Sequence, residues 1–159
     1  MKIDIVCVGK IKEKYFNMAI DEYSKRLSRY IKLNIVEVPD EQTPDNAPPA
    51  VEDMIKKKEA ERILKVIKPD SYVVTLEING EMLDSVKLAK KIESIGVGGC
   101  GSITFVIGGS LGLHEDVSNR SNYKLSFSKM TFPHQLMRVI LLEQVYRSYR
   151  ILSNEPYHK

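Results

Sequence analysis

Apolar side chains recur along this chain in two alternating rhythms. Residues 2 to 8 form a largely β-branched apolar run, with Lys2 at its start and Asp4 inside it, which predicts a buried first strand. Tyr15, Phe16, Ala19, Ile20, Tyr23 and Leu27 follow at helical spacing and predict an amphipathic helix over about 13–30. Leu33 to Val38 reads as a second strand. The acidic, proline-rich stretch from Asp40 to Pro49 reads as an exposed, flexible loop. A second helix is expected over 50–67, with Val51, Met54, Ile55, Ile63, Leu64 and Ile67 as its apolar face. Lys56-Lys57-Lys58 there read as a solvated run countered by Glu59 and Glu61.

Tyr72 to Ile78 predicts a third strand ended by a turn at Asn79-Gly80. A third helix, capped by Asp84 or Ser85, is expected to run to about Ile95 and to stop in the glycine run 96–101. Ile103 to Ile107 reads as a strand buried on both faces. After it come Gly108-Gly109-x-x-Gly112, a short helix over 113–118, a brief strand from Lys124 to Phe127 and a polar loop to Pro133. The chain then enters a long final helix, with Thr131 placed to cap it. Strands alternating with helices predict a single α/β domain over 1–159, with a mostly parallel sheet flanked by helices. The final helix is apolar around more than one stripe, through Leu136, Val139, Ile140, Leu142, Val145 and Tyr149. That breadth predicts a second buried face, shared with another copy in a homodimer.

Charge sharpens this picture. Residues 120–159 carry seven Lys/Arg against Glu143 and Glu155, leaving seventeen basic and nineteen acidic residues before them. A basic C-terminal part on a mildly acidic body suggests a polyanionic partner. Cys7 and Cys100 lie far apart, and with three histidines no zinc-type spacing exists, so no metal site is expected. No run approaches the roughly 18 apolar residues of a membrane span. A cytoplasmic protein is expected.

The glycines after the fourth strand lack the G-x-G-x-x-G pattern, which disfavours pyridine nucleotides. The loop 128–133 exposes backbone donors and acceptors beside Met130 and Phe132, features that suit a planar heterocycle with a polar tail. Glu143 and Arg147 stand one helical turn apart, either pairing with each other or orienting a substrate. Arg138 reads as part of a basic helix face for a polyanionic partner, and His134 stands at the start of the final helix.

Several ordered motifs carry a family resemblance. Phe105-Val-Ile-Gly-Gly-x-x-Gly-Leu113, Leu125-Ser-Phe-Ser-Lys-Met-Thr131, Pro133-His-Gln-Leu-x-Arg138, Leu142-Glu-Gln-x-Tyr-Arg147 and Pro156-Tyr-His158 resemble the RlmH family. These are SPOUT-superfamily methyltransferases that methylate a pseudouridine of large-subunit (23S) ribosomal RNA at N3. The resemblance implies a C-terminal trefoil knot, a homodimer and S-adenosylmethionine as cofactor. It implies ribosomal RNA or the ribosome, neither DNA nor a membrane, as partner. Carried over by position, the cofactor contacts fall on Leu76, Gly108, Phe127, Ser128, Lys129, Met130, Thr131 and Phe132. Arg147, Tyr157 and His158 are the catalytic candidates, with His134 a further one. Glu77 stands where many relatives have Asp, and Asn79-Gly80 where they have an Arg-Gly-like turn. The contrasting expectation is a non-catalytic RNA- or ribosome-binding protein with the same basic surface.

Overall fold

The computed structural model describes residues 1–159. Five strands, β1 (Lys2–Val8), β2 (Lys32–Val38), β3 (Tyr72–Met82), β4 (Ser102–Ile107) and β5 (Tyr123–Ser126), form one sheet in the order β2-β1-β4-β3-β5, every pairing parallel. Five helices connect and extend them: α1 (Lys14–Leu27), α2 (Pro49–Val66), α3 (Ser85–Val97), α4 (Glu115–Arg120) and α5 (His134–Leu152). Strand β1 shows why three layers form. Ile3, Ile5 and Cys7 face a core completed by Leu27 of α1, Leu88 and Ile92 of α3, and Leu141 and Leu142 of α5. Val6 and Val8 face the opposite core, with Ala60 and Ile63 of α2 and Val117 of α4. Side chains alternate across a strand, so a nearly continuous apolar run is dry on both faces only when helices cover both.

Several local expectations change. Strand β3 does not end at Ile78. It continues through Asn79 and Gly80 to Met82, and both Leu76 and Glu81 register against Leu125, so β3 bulges beside the short edge strand β5. Gly80 permits this, because a Cβ there would lie 2.7 Å from the Lys124 carbonyl oxygen. Met54 and Tyr15, expected on buried helix faces, are exposed. Glu59 is not a solvated counter-charge but buried, and its Oε2 accepts the Glu41 backbone N–H at 3.0 Å. Arg62 donates to the Pro39 carbonyl at 3.0 Å and pairs with Glu41, so the loop after β2 is tied to α2 at its start. Thr131 does not cap α5: Pro133 occupies the N-cap and no side chain caps that end. Cys7 and Cys100 are free thiols, and burial pushes Cys7 up to about 12.

Candidate active site

The C-terminal ends of β3, β4 and β5 open together into one cleft of about 630 Å³, within the range of small-molecule sites. Leu76, Glu77 and Ile78 form one wall, and Ile107 to Gly112 a second. Phe127, Ser128, Met130, Thr131, Phe132 and the start of α5 (His134 and Met137) close the third. Ligands in open α/β folds seat outside the carboxyl ends of the strands for this reason: loops diverge there and leave backbone groups free. Gly108 lets the chain turn back on itself, since a Cβ would sit 2.9 Å from the Gly112 carbonyl carbon. The loop holds its own shape through Ser128, whose Oγ accepts the Met130 N–H at 3.0 Å, and through Ser126, whose hydroxyl donates to the Ser128 carbonyl at 3.1 Å.

Of the eight residues expected at a cofactor, seven line this cleft: Leu76, Gly108, Phe127, Ser128, Met130, Thr131 and Phe132. Lys129 is exposed and outside the lining. Glu77 is a wall residue that sequence reasoning passed over except as a departure from the family. Its carboxylate accepts from the Thr75 hydroxyl at 2.6 Å and from the Ser118 hydroxyl at 3.0 Å. Two hydroxyl donors fix a negative charge at the rim of an otherwise half-apolar cleft. His134 lines the cleft too, and burial, then the Arg138 charge, lower its pKa, favouring a neutral ring.

A second cluster forms further along α5, where the chain end folds back. Arg147 donates through Nε and Nη2 to Glu143 Oε1 at 3.1 and 2.8 Å, and its guanidinium lies 4.6 Å from the Tyr157 ring centroid. The Tyr157 hydroxyl donates to the same Glu143 oxygen at 3.1 Å, and Arg147 Nη1 lies 3.2 Å from His158 Nδ1. The three catalytic candidates, Arg147, Tyr157 and His158, are thus in mutual contact, and none lines the cleft. Thirteen residues of helix separate His134 from Arg147, about 20 Å at 1.5 Å per residue.

Arg138 departs from its expected role. It is buried, and it donates to Glu37 at 2.6 Å and to the Val8 and Gly9 carbonyls at 3.1 and 2.7 Å. It ties α5 to the ends of β1 and β2 and offers no cation to a phosphate. His114, which sequence reasoning missed, is buried at the start of α4, and its Nδ1 accepts the Asp116 N–H at 3.1 Å. The Glu115-Asp116 pair after it, suited to a helix N-terminus, was the available signal. No cluster of three or more His, Cys, Asp or Glu is placed to hold a metal ion, and no helix is long and apolar enough to cross a membrane.

The family described as "Predicted SPOUT methyltransferase" matches residues 1–158. The chain is 63% identical over 159 residues to the ribosomal RNA large subunit methyltransferase H of Clostridium novyi (strain NT), covering all of both chains. The chain belongs to this methyltransferase family. A second member of the RlmH family, from Alkaliphilus oremlandii (strain OhILAs), is 59% identical over the same full length. Among solved structures, a probable methylase family protein from Haemophilus influenzae Rd KW20 superposes with a TM-score of 0.56 at 15% identity. That match spans 99% of this chain and 70% of the other, a likeness of fold. This RlmH-family chain is accordingly an α/β methyltransferase with a parallel sheet of the SPOUT type.

Proposed function

We propose that the chain methylates N3 of a pseudouridine in large-subunit ribosomal RNA, using S-adenosylmethionine, as a cytoplasmic homodimer with the knotted C-terminal topology of its family. The observation that carries this reading is the pairing of a half-apolar cleft, formed by Leu76, Gly108 and the 127–132 loop, with a separate Arg147–Tyr157–His158 cluster. The full-length relatives named as ribosomal RNA methyltransferases support the substrate class.

The cleft suits the cofactor chemically. Apolar side chains such as Leu76, Phe127 and Met137 flank a flat heterocycle, and the backbone of the 127–132 loop offers donors and acceptors to its edge. The fixed Glu77 carboxylate favours a cationic ligand. Bound there, S-adenosylmethionine supplies an electrophilic methyl group on a positively charged sulfur.

A pseudouridine N3 is a weakly acidic imide that becomes nucleophilic on losing its proton, so groups that stabilise the resulting anion accelerate transfer. Arg147 supplies the positive charge and His158 a ring nitrogen beside it. Because that cluster lies about 15 Å along the helix beyond Met137, the last cleft residue on α5, it serves the cleft of the second subunit. Exposed Ile78 and Met130 in the cleft lining, exposed Met82 at the end of β3, and half-buried Met137, Val139 and Ile140 on α5 support such an interface.

Deleting Pro156 to Lys159 tests the assignment. Methyl transfer to ribosomes is expected to vanish while calorimetry still shows S-adenosylmethionine binding. Wild-type turnover by the truncated chain overturns the catalytic tail. Failure of the intact chain to bind S-adenosylmethionine favours a non-catalytic RNA-binding protein instead.

A further inference from the structure

Glu143 stands at the centre of the tail cluster. Its Oε1 accepts three hydrogen bonds, two from Arg147 and one from Tyr157, and its Oε2 accepts the Gln144 side-chain N–H at 2.9 Å. Gln144 in turn accepts the Ser85 hydroxyl at 2.7 Å, which ties the group to the start of α3. The carboxylate grips one edge of the Arg147 guanidinium, the Tyr157 ring covers its face, and Nη1 is left aimed at His158 Nδ1. A guanidinium only donates. In this arrangement Nδ1 of His158 is therefore the acceptor, the ring is neutral, and its single N–H lies on Nε2. Tyr157 is likewise committed as a donor. From neighbouring positions, Tyr23 and Arg26 of α1 and Tyr146 of α5 complete the surroundings, with Arg26 5.4 Å from the Tyr23 centroid and 5.7 Å from that of Tyr146.

We propose that Glu143 is a positioning residue that fixes the tail as a hydrogen-bond donor, so that His158 meets the substrate base through Nε2–H and does not accept its proton. The inference rests on the proposed methylation of an imide nitrogen. The imide proton passes to solvent hydroxide, forming water. The negative charge left on the base's nitrogen and carbonyl oxygens is held by the His158 Nε2–H and the remaining Arg147 N–H groups. Burial, then the bond to Glu143, raise the Tyr157 pKa, which removes the phenol as an alternative base.

Two measurements on the full-length protein test this. Imidazole nitrogen NMR, with the His158 signals assigned by their loss in His158→Gln, is expected to show the neutral Nε2–H tautomer. In Glu143→Gln the tautomers become mixed. A wild-type ring protonated on Nδ1 overturns the arrangement whether or not the chain methylates RNA. In the activity arm, Gln reproduces both the acceptor facing Arg147 and the outward N–H but cannot act as a base. His158→Gln is expected to keep kcat within about 10-fold of wild type, while His158→Phe loses about 10²–10³-fold, the scale of a lost donor to a developing anion. A His158→Gln enzyme as inactive as His158→Phe makes the histidine the base and overturns the donor role. An intact chain that transfers no methyl to ribosomal RNA removes the underlying reading, which the tautomer result leaves separate.

Discussion

Two buried charges do structural work that exposed ones could not. Arg138 satisfies two strand-end carbonyls and Glu37 at once, so its loss strands acceptors at the ends of β1 and β2. Arg138→Met is expected to destabilise by on the order of 3 kcal/mol, a fall in Tm of roughly 10 °C for a chain of this size. An unchanged Tm with weakened ribosome binding would instead make Arg138 a phosphate contact. Glu59 works in the opposite sense. Burial raises its pKa above the ordinary carboxylate value, and the nearby Asp40 adds to the rise, against the opposing pull of the Glu41 N–H bond and the Arg62 charge. The folded state then holds the proton more tightly than the unfolded one, so stability falls as pH rises from the unfolded to the folded pKa. Glu59→Gln, which keeps an acceptor for the Glu41 N–H, is expected to raise Tm at pH 7. That gain should disappear as pH falls below the unfolded carboxylate value, and a gain unchanged at low pH contradicts the assignment.

At the scale of elements, the bulged end of β3 sets the cleft. Leu76 and Glu81 share one partner on β5, and the intervening residues carry Glu77 and Ile78 into the wall. Gly80 lies against the Lys124 backbone, where no side chain can rotate aside. Gly80→Ala is expected to lower Tm and to weaken S-adenosylmethionine binding about 10-fold or more, since β5 must shift and the 127–132 loop with it. Unaltered affinity would detach the cleft from that contact. The residue-level pattern exposed much of this architecture and hid this part. Strand–helix alternation was legible because burial on both faces of β1 and β4 writes long apolar runs. Asn79-Gly80 looked like a turn because its use, close approach to a strand 44 residues onward, is invisible to local pattern. Thr131 looked like a cap for the same reason: the loop's bonds run through Ser126 and Ser128 and leave Pro133 at the helix entrance.

Across the whole molecule, the proposed function divides between two places on α5. Its first turn closes the cleft, and its fourth and fifth hold the folded-back tail through Arg147 and through Arg150, which donates to the Pro156 carbonyl at 3.0 Å and pairs with Glu155. The motifs named both sets of residues from sequence, and the structure adds their separation along one rigid helix. In the proposed homodimer each monomer supplies half of each site, and the two-fold pair completes both. The most direct measurement follows the methyl group itself. Ribosomes lacking the modification are incubated with the protein and labelled S-adenosylmethionine, and the labelled nucleotide is mapped by mass spectrometry. The account predicts a single methyl on N3 of one pseudouridine of the large-subunit RNA. Label on a ribose, on another base or on no RNA at all would contradict it.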